Sequence, residues 1–272
     1  MQKVFSMNTT RPLILVTNDD GYQAKGLKKL VSLMRPLGEV VVISTNQPMS
    51  AKGHSITTTP TLSATLVNVE PGFKEYVCNG TPVDCVKIGY QWLLDRIPDL
   101  VVSGVNHGSN ASTNVIYSGT MGAAIEACMD GINAIGFSLD CYDPDADFDH
   151  LDDAIVAITK EVLDKGLPDG VCLNVNFPKR SETPFKGLKV CRQAKAKWVE
   201  AYSECQSETG GTCLKLGGAF IFEDSGGDTD YEALQDNYIS LVPTHFDLTA
   251  KQYMEPMRRF ENLVFNNHEN QG

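Results

Sequence analysis

The chain has 272 residues, 42% hydrophobic and 21% charged, which fits one large α/β domain, or a domain with an appendage, and argues against a disordered or coiled-coil protein. Its formal net charge of −11 disfavours nucleic acid as a partner but admits a small phosphorylated ligand, because a bound cation reverses the local field. No run approaches the roughly 20 apolar residues of a membrane span, and residues 1–11 carry no secretory pattern, so a cytoplasmic protein with no membrane partner is expected.

Leu13, Ile14, Leu15 and Val16 form a short apolar run, the pattern of a strand buried on both faces. It ends in Asn18, Asp19, Asp20 and Gly21. The carboxyl end of such a strand is where open α/β sheets bind ligands. Two adjacent carboxylates repel each other there unless a cation joins them, and Mg²⁺-like cations favour such oxygens; the same residues also make an ordinary strand-ending turn. Leu27, Leu30, Val31 and Met34 have helical spacing, stopped at Pro36 and Gly38, and 40–44 is a second apolar run. Residues 45–60 read as a loop followed by extended chain. Thr81 as N-cap, Pro82 at N1 and Asp84 at N3 start a helix that Val83, Val86, Ile88, Trp92 and Leu93 carry to about 95. Next come a buried strand at 100–103, a helix opened by Ser118-Gly119-Thr120 and closed by Gly131, a strand at 134–139, an amphipathic helix at 151–163 and a strand at 171–175. This alternation predicts a three-layer α/β/α fold, doubly wound around a mainly parallel, Rossmann-like sheet.

Beyond about 178 the pattern changes. Segments 188–191, 198–202 and 214–222 are short and extended, 223–230 reads as a mobile acidic loop, and a short helix (230–237), a strand (238–242) and a helix from Thr249 follow. The expected division is an N-terminal extension (1–11), a catalytic core (12–187) and a C-terminal segment (188–272), whose extended hairpin is an interaction arm and which returns to the core. The eight cysteines include no Cys-x-x-Cys pair, and Cys85, Cys128 and Cys172 sit in apolar runs, so buried reduced thiols are expected.

Three further segments should fall at the same end of the sheet as Asp19 and Asp20: 48–55, with Ser50 and His54; 103–110, with Asn106, His107 and Asn110; and 117–120. Gly, Ser and Asn let a ligand approach the backbone, and a helix N-terminus is a ready anion site. A metal beside an anion site suits phosphate chemistry. Ser118 and Thr120 serve equally well as helix caps, and His54 and His107 as loop residues. No nucleophile elbow, P-loop or dinucleotide fingerprint is present. These residues leave a hydrolase and a signalling receiver domain as readings. A receiver needs a further Asp where Ser103 and Gly104 stand, and the chain is more than twice the usual receiver length.

Five motifs in order, Leu-Val-Thr-Asn-Asp-Asp-Gly (15–21), Gly-His-Ser-Ile-Thr (53–57), Asn-Gly-Thr-Pro-Val-Asp-Cys-Val (79–86), Val-Ser-Gly-Val-Asn-His-Gly-Ser-Asn (102–110) and Val-Ile-Tyr-Ser-Gly-Thr (115–120), resemble the SurE family of stationary-phase survival proteins. Residues 173–178 and 230–243 extend the resemblance, which runs from about 12 to 260. It implies a metal-dependent phosphomonoesterase acting on nucleoside 5′- and 3′-monophosphates, with some polyphosphate hydrolysis; the alternative is a non-catalytic, metal-dependent nucleotide sensor. It implies one divalent cation (Mg²⁺ or Mn²⁺) per subunit on Asp19, Asp20, Ser50 and Asn106, with Asp19 and Asp20 catalytic. Asn18, Asn110, Ser118, Gly119 and Thr120 would contact phosphate or substrate. It also implies a homodimer or homotetramer joined through the hairpin and an exchanged C-terminal segment. Two stretches depart from the family pattern: Thr45-Asn46-Gln47-Pro48, where Pro-Asp/Glu-Arg is usual, and 111–114, with Ser and Asn where Gly and Asp are usual.

Overall fold

A computed structural model describes residues 11–59, 61–206, 210–224 and 226–263. The expected N-terminal extension lies, apart from Arg11, outside them. The chain runs β1 (Leu13–Thr17), α1 (Lys25–Met34), β2 (Glu39–Thr45), β3 (Ala64–Glu70), β4 (Phe73–Cys78), α2 (Pro82–Ile88), β5 (Leu100–His107), α3 (Gly119–Met129), β6 (Ala134–Leu139), α4 (Asp152–Lys165), β7 (Val171–Phe177), β8 (Leu188–Val190), β9 (Ala196–Cys205), β10 (Cys213–Phe222), α5 (Asp230–Gln235), β11 (Ile239–His245) and α6 (Met254–Met257).

Nine strands form one sheet in the order β3-β4-β2-β1-β5-β6-β7-β11-β8. The pairs among β4, β2, β1, β5, β6 and β7 are parallel, while β3 on β4 and β11 on β7 are antiparallel. Strand alternation splits β1 between two cores. Ile14 and Val16 pack with Leu27, Leu30 and Met34 of α1 and Ile155 and Val162 of α4. Leu13 and Leu15 face the other way, against Val86 of α2 and Met121, Ala124 and Ala127 of α3. Each fully buried Leu, Ile or Val contributes about 1.5–3 kcal/mol, so the two apolar faces of β1 tie both helical layers to the sheet. This is the predicted three-layer α/β/α arrangement. The chain leaves β1 for β2 and β4 on one side and crosses to β5 on the other, so the strand order reverses between β1 and β5, where such sheets bind ligands.

Several elements differ from expectation. The helix at Thr81 has its full capping box but ends at Ile88, followed by a π-helical turn, Gly89–Leu93. Gly89 lies so close to the sheet that a Cβ would sit 3.0 Å from Ile43 and 3.1 Å from Leu15, and Trp92 ends up on the surface. Residues 64–78 form an edge hairpin that the loop-rich 45–60 stretch hid; β3 exposes Leu66, Val67 and Val69, so it carries no buried alternation to read. The helix expected from Thr249 is broken into single turns around a four-residue α6 that contains Pro256. Cys78, Cys85, Cys128, Cys141, Cys172 and Cys191 are free and buried as expected, but Cys205 and Cys213 form a disulfide. The β9–β10 register sets them directly opposite, with Cα atoms 5.0 Å apart, within bridging range.

Candidate functional site

The β1 strand ends by turning sharply: the Asn18 amide donates to the carbonyl of Gly21 (2.9 Å), and Gly21 adopts a positive φ of 93°. This turn sets Asp19 against Thr120 of α3 and Asp20 against His107 of β5. Asp19 is 4% exposed. Its Oδ1 accepts from the Thr120 hydroxyl at 2.5 Å, and its carbonyl accepts from the Met49 N–H at 2.7 Å, which folds the 48–53 loop and Ser50 over the strand end. Asp20 turns toward β5, where its Oδ2 accepts the His107 N–H at 3.0 Å. Burial raises the Asp19 carboxyl above its ordinary value, against the pull of Thr120 and the N–H groups of Thr120 and Gly119. Burial, then the charge of Asp19, pushes Asp20 up to about 6.

The third wall is α3. Ser118 is its N-cap, with Oγ accepting the Met121 N–H at 3.0 Å. A Cβ on Gly119 would lie 2.9 Å from both Cβ and Oδ2 of Asp19, so the helix start rests directly on that carboxylate. Of the residues expected to hold phosphate, Gly119 and Thr120 thus face Asp19, whereas Ser118 lines the cavity. Asn106 spends its amide nitrogen on the Gly108 carbonyl (2.8 Å), which leaves Oδ1 as its ligand atom. Asn110 also lines the cavity, but its amide donates to Ser138 Oγ (2.8 Å). Asn18 is buried, and its Oδ1 has no partner among the described residues.

Asp19, Ser50, Asn106, Asn110 and Ser118 border one cavity of about 900 Å³, which the β9–β10 hairpin also lines. Its loops are fastened by residues of 173–178 and 230–243, the two stretches that extend the family resemblance without a role assigned to them. Asn176 accepts the Asn110 N–H (2.8 Å) and donates to Asn174, which donates to the Asn110 carbonyl (2.9 Å). Two Asn at i and i+2 in an otherwise apolar buried strand are the signal for this ladder. Asp230 is fully buried and accepts N–H bonds from Ser112 (2.7 Å), Ala194 (2.9 Å) and Tyr231 (2.8 Å), joining the 111–114 loop to the hairpin base. Its separation in sequence from Ser112 and Ala194 left no local signal. His54 is not at the cavity; its Nε2 meets Glu126 Oε2 of α3 at 2.7 Å, with Lys87 on the other oxygen at 2.5 Å. Burial would raise the Glu126 carboxyl, but these two contacts more than offset it and hold it below the ordinary value. His107 lines the cavity, and its Nε2 is buried without a partner among the described residues.

Comparison with known proteins fits this geometry. The family described as Survival protein SurE matches residues 14–200. The 5′-nucleotidase SurE of Flavobacterium psychrophilum is 51% identical over 253 residues, covering 93% of this chain and 98% of the relative. That of Bacteroides fragilis is 44% identical over 256 residues, covering 94% and 100%. The crystal structure of the SurE protein from Aquifex aeolicus superimposes with a TM-score of 0.78 at 34% identity, covering 92% of this chain and 100% of that one. By the family match over residues 14–200 and the identity to these relatives across nearly the whole of both chains, the chain belongs to the SurE family.

Proposed function

We propose that this chain is a 5′-nucleotidase that hydrolyses nucleoside 5′-monophosphates to nucleoside and phosphate. The observation that carries this reading is the meeting of Asp19 with the start of α3 at the switch-point cavity, with Asp20 beside it on His107 of β5, in a chain of this family. The donor set suits a hard divalent cation: every candidate ligand offers oxygen, two carboxylates stand side by side with raised proton affinity, and the buried Asn18 Oδ1 lacks a partner. Asp19, Asp20, Ser50 and Asn106 would hold one Mg²⁺ or Mn²⁺ per subunit, which when bound supplies charge neutralisation and an acidified water.

The chain's own residues do the rest. Asp19 is fixed by Thr120, so its orientation is set before substrate arrives. Asp20 accepts the His107 N–H, and burial with the charge of Asp19 raises its carboxyl in the metal-free protein, a cost that a bound cation would relieve; its remaining oxygen would orient the attacking water. Ser118 accepts from Met121, and its own hydroxyl proton is free to reach a phosphoryl oxygen, where the α3 N-terminus also favours negative charge.

The test is phosphate release from AMP and GMP with Mg²⁺ or Mn²⁺. Asp19→Asn and Asp20→Asn should each lose activity by about 10²-fold or more at limiting metal while remaining folded. Wild-type rates in either variant would refute the site, and nucleotide binding without release would favour the sensor reading. The same protein is proposed to assemble as a homodimer or homotetramer. Leu248, Tyr253, Met254, Met257, Phe260 and Leu263 stand exposed along the C-terminal segment, and Leu248 is 92% exposed. A monomer by light scattering at micromolar concentration would refute the assembly.

A further inference from the structure

The cavity is too large for a phosphate and a cation alone; about 900 Å³ is the size that encloses a whole drug-sized ligand. Its polar end, at Asp19 and Asn106, recognises only what all phosphomonoesters share. The side lined by the β9–β10 hairpin is different. In the β9–β10 ladder Trp198 pairs with Phe220, Glu200 with Gly218 and Tyr202 with Leu216, so by strand alternation these three pairs share one face. Trp198, Glu200, Tyr202, Leu216 and Gly218 of that face line the cavity.

Trp198 is held from several sides. Its Nε1 donates to Asn114 Oδ1 at 2.8 Å, which fixes the indole to the 111–114 loop. Phe220 meets it edge-on, with ring centroids 5.5 Å apart, and Tyr231 of α5 supports Phe220 at 5.5 Å. Trp198 is nevertheless 43% exposed. Beside it, Gly218 has a φ of 147°, and a Cβ there would meet the Val199 carbonyl at 2.4 Å, so that position carries no side chain and the face is notched next to the indole. A flat, pre-positioned aromatic surface with a gap beside it, on the same cavity as the phosphate end, fits a planar heterocycle.

We infer that Trp198 is the platform on which the nucleobase stacks, and that it makes purine nucleotides the better substrates of this chain. The inference rests on the nucleotidase reading and deepens it. Asn114 already takes the indole N–H, so Trp198 offers its face and no donor. Discrimination then follows ring area: a purine covers more indole than a pyrimidine does, and adenine and guanine are treated alike.

The experiment measures steady-state kinetics of wild type, Trp198→Leu and Trp198→Phe on AMP, GMP, UMP and ribose 5-phosphate, which has no base. In Trp198→Leu, KM for AMP and GMP should rise about tenfold with kcat within about twofold. The rise for UMP should be smaller, ribose 5-phosphate should be unchanged, and Trp198→Phe should recover part of the loss. An equal effect on ribose 5-phosphate, or an unchanged purine KM, would overturn the proposal. A second readout needs no turnover. The chain has two tryptophans, so in a Trp92→Phe background all indole emission comes from Trp198. AMP should quench that emission and ribose 5-phosphate should not; equal responses, or none, would also overturn it. If the wild type released no phosphate from any nucleotide, the nucleotidase reading would fail, while the quenching result would still decide whether a base stacks on Trp198.

Discussion

Replacing Gly119 by Ala should separate stability from activity. Gly119 is the first residue of α3, where Ala is a better helix former by about 0.5–1 kcal/mol. Its added Cβ would stand 2.9 Å from Cβ and Oδ2 of Asp19. Carbon contacts settle at about 3.5–4.0 Å, so the carboxylate must yield by at least about half an ångström. Asp19 has little room to do so, being 4% exposed and held by Thr120 at 2.5 Å. Helix gain and local strain therefore offset each other, and the melting temperature should change by only a few degrees. Displacement of a reacting group by 1 Å costs about 10²-fold, so kcat/KM on AMP should fall by about 10- to 100-fold. Thermal melts and phosphate release on one preparation test this. Full activity would show that the position of Asp19 does not matter, and a collapse of the fold would show that Gly119 serves packing rather than the site.

Ser118→Ala removes the α3 N-cap, which costs about 1 kcal/mol by urea titration, and if the hydroxyl also donates to phosphate, kcat falls by about 10²-fold; an intact kcat leaves it a cap alone. Asp20 has a folded-state pKa of about 6 against an ordinary 3.8, so its ionised form penalises the metal-free fold: the penalty is absent below about pH 4, grows between 4 and 6 and is complete above. In EDTA, Asp20→Asn should therefore gain stability over wild type as pH rises through that window, and a pH-independent difference would refute the assignment. Asp230→Ala strips two buried N–H groups, of Ser112 and Ala194, and the part-buried one of Tyr231 of their acceptor, at about 1–3 kcal/mol for each buried group before relaxation, and should speed amide exchange at Ser112 and Ala194 first; unchanged protection there would refute its role as the fastening between loop and hairpin.

The apolar run 13–16, the Asp19-Asp20 pair and the Thr81-Pro82 and Ser118 helix starts were legible in the sequence because each is a local pattern, an apolar period or a cap, that physics reads within a few residues. Together they foretold the alternation of strands and helices and the end of the sheet that matters. The family motifs supplied the chemistry that these patterns left open between hydrolase and receiver. Tertiary structure alone decided how the loops close on that end. It turned Gly119 and Thr120 onto Asp19 rather than outward, paired His54 with Glu126 away from the cavity, and brought Asp230 to Ser112 across 118 residues of chain. It also broke the helix at Gly89 against Leu15 and Ile43, and joined Cys205 to Cys213 through the register of a ribbon. Each of these outcomes depends on which segments meet in space, and a pairing between distant segments leaves no period, cap or breaker in either one for a local reading to find.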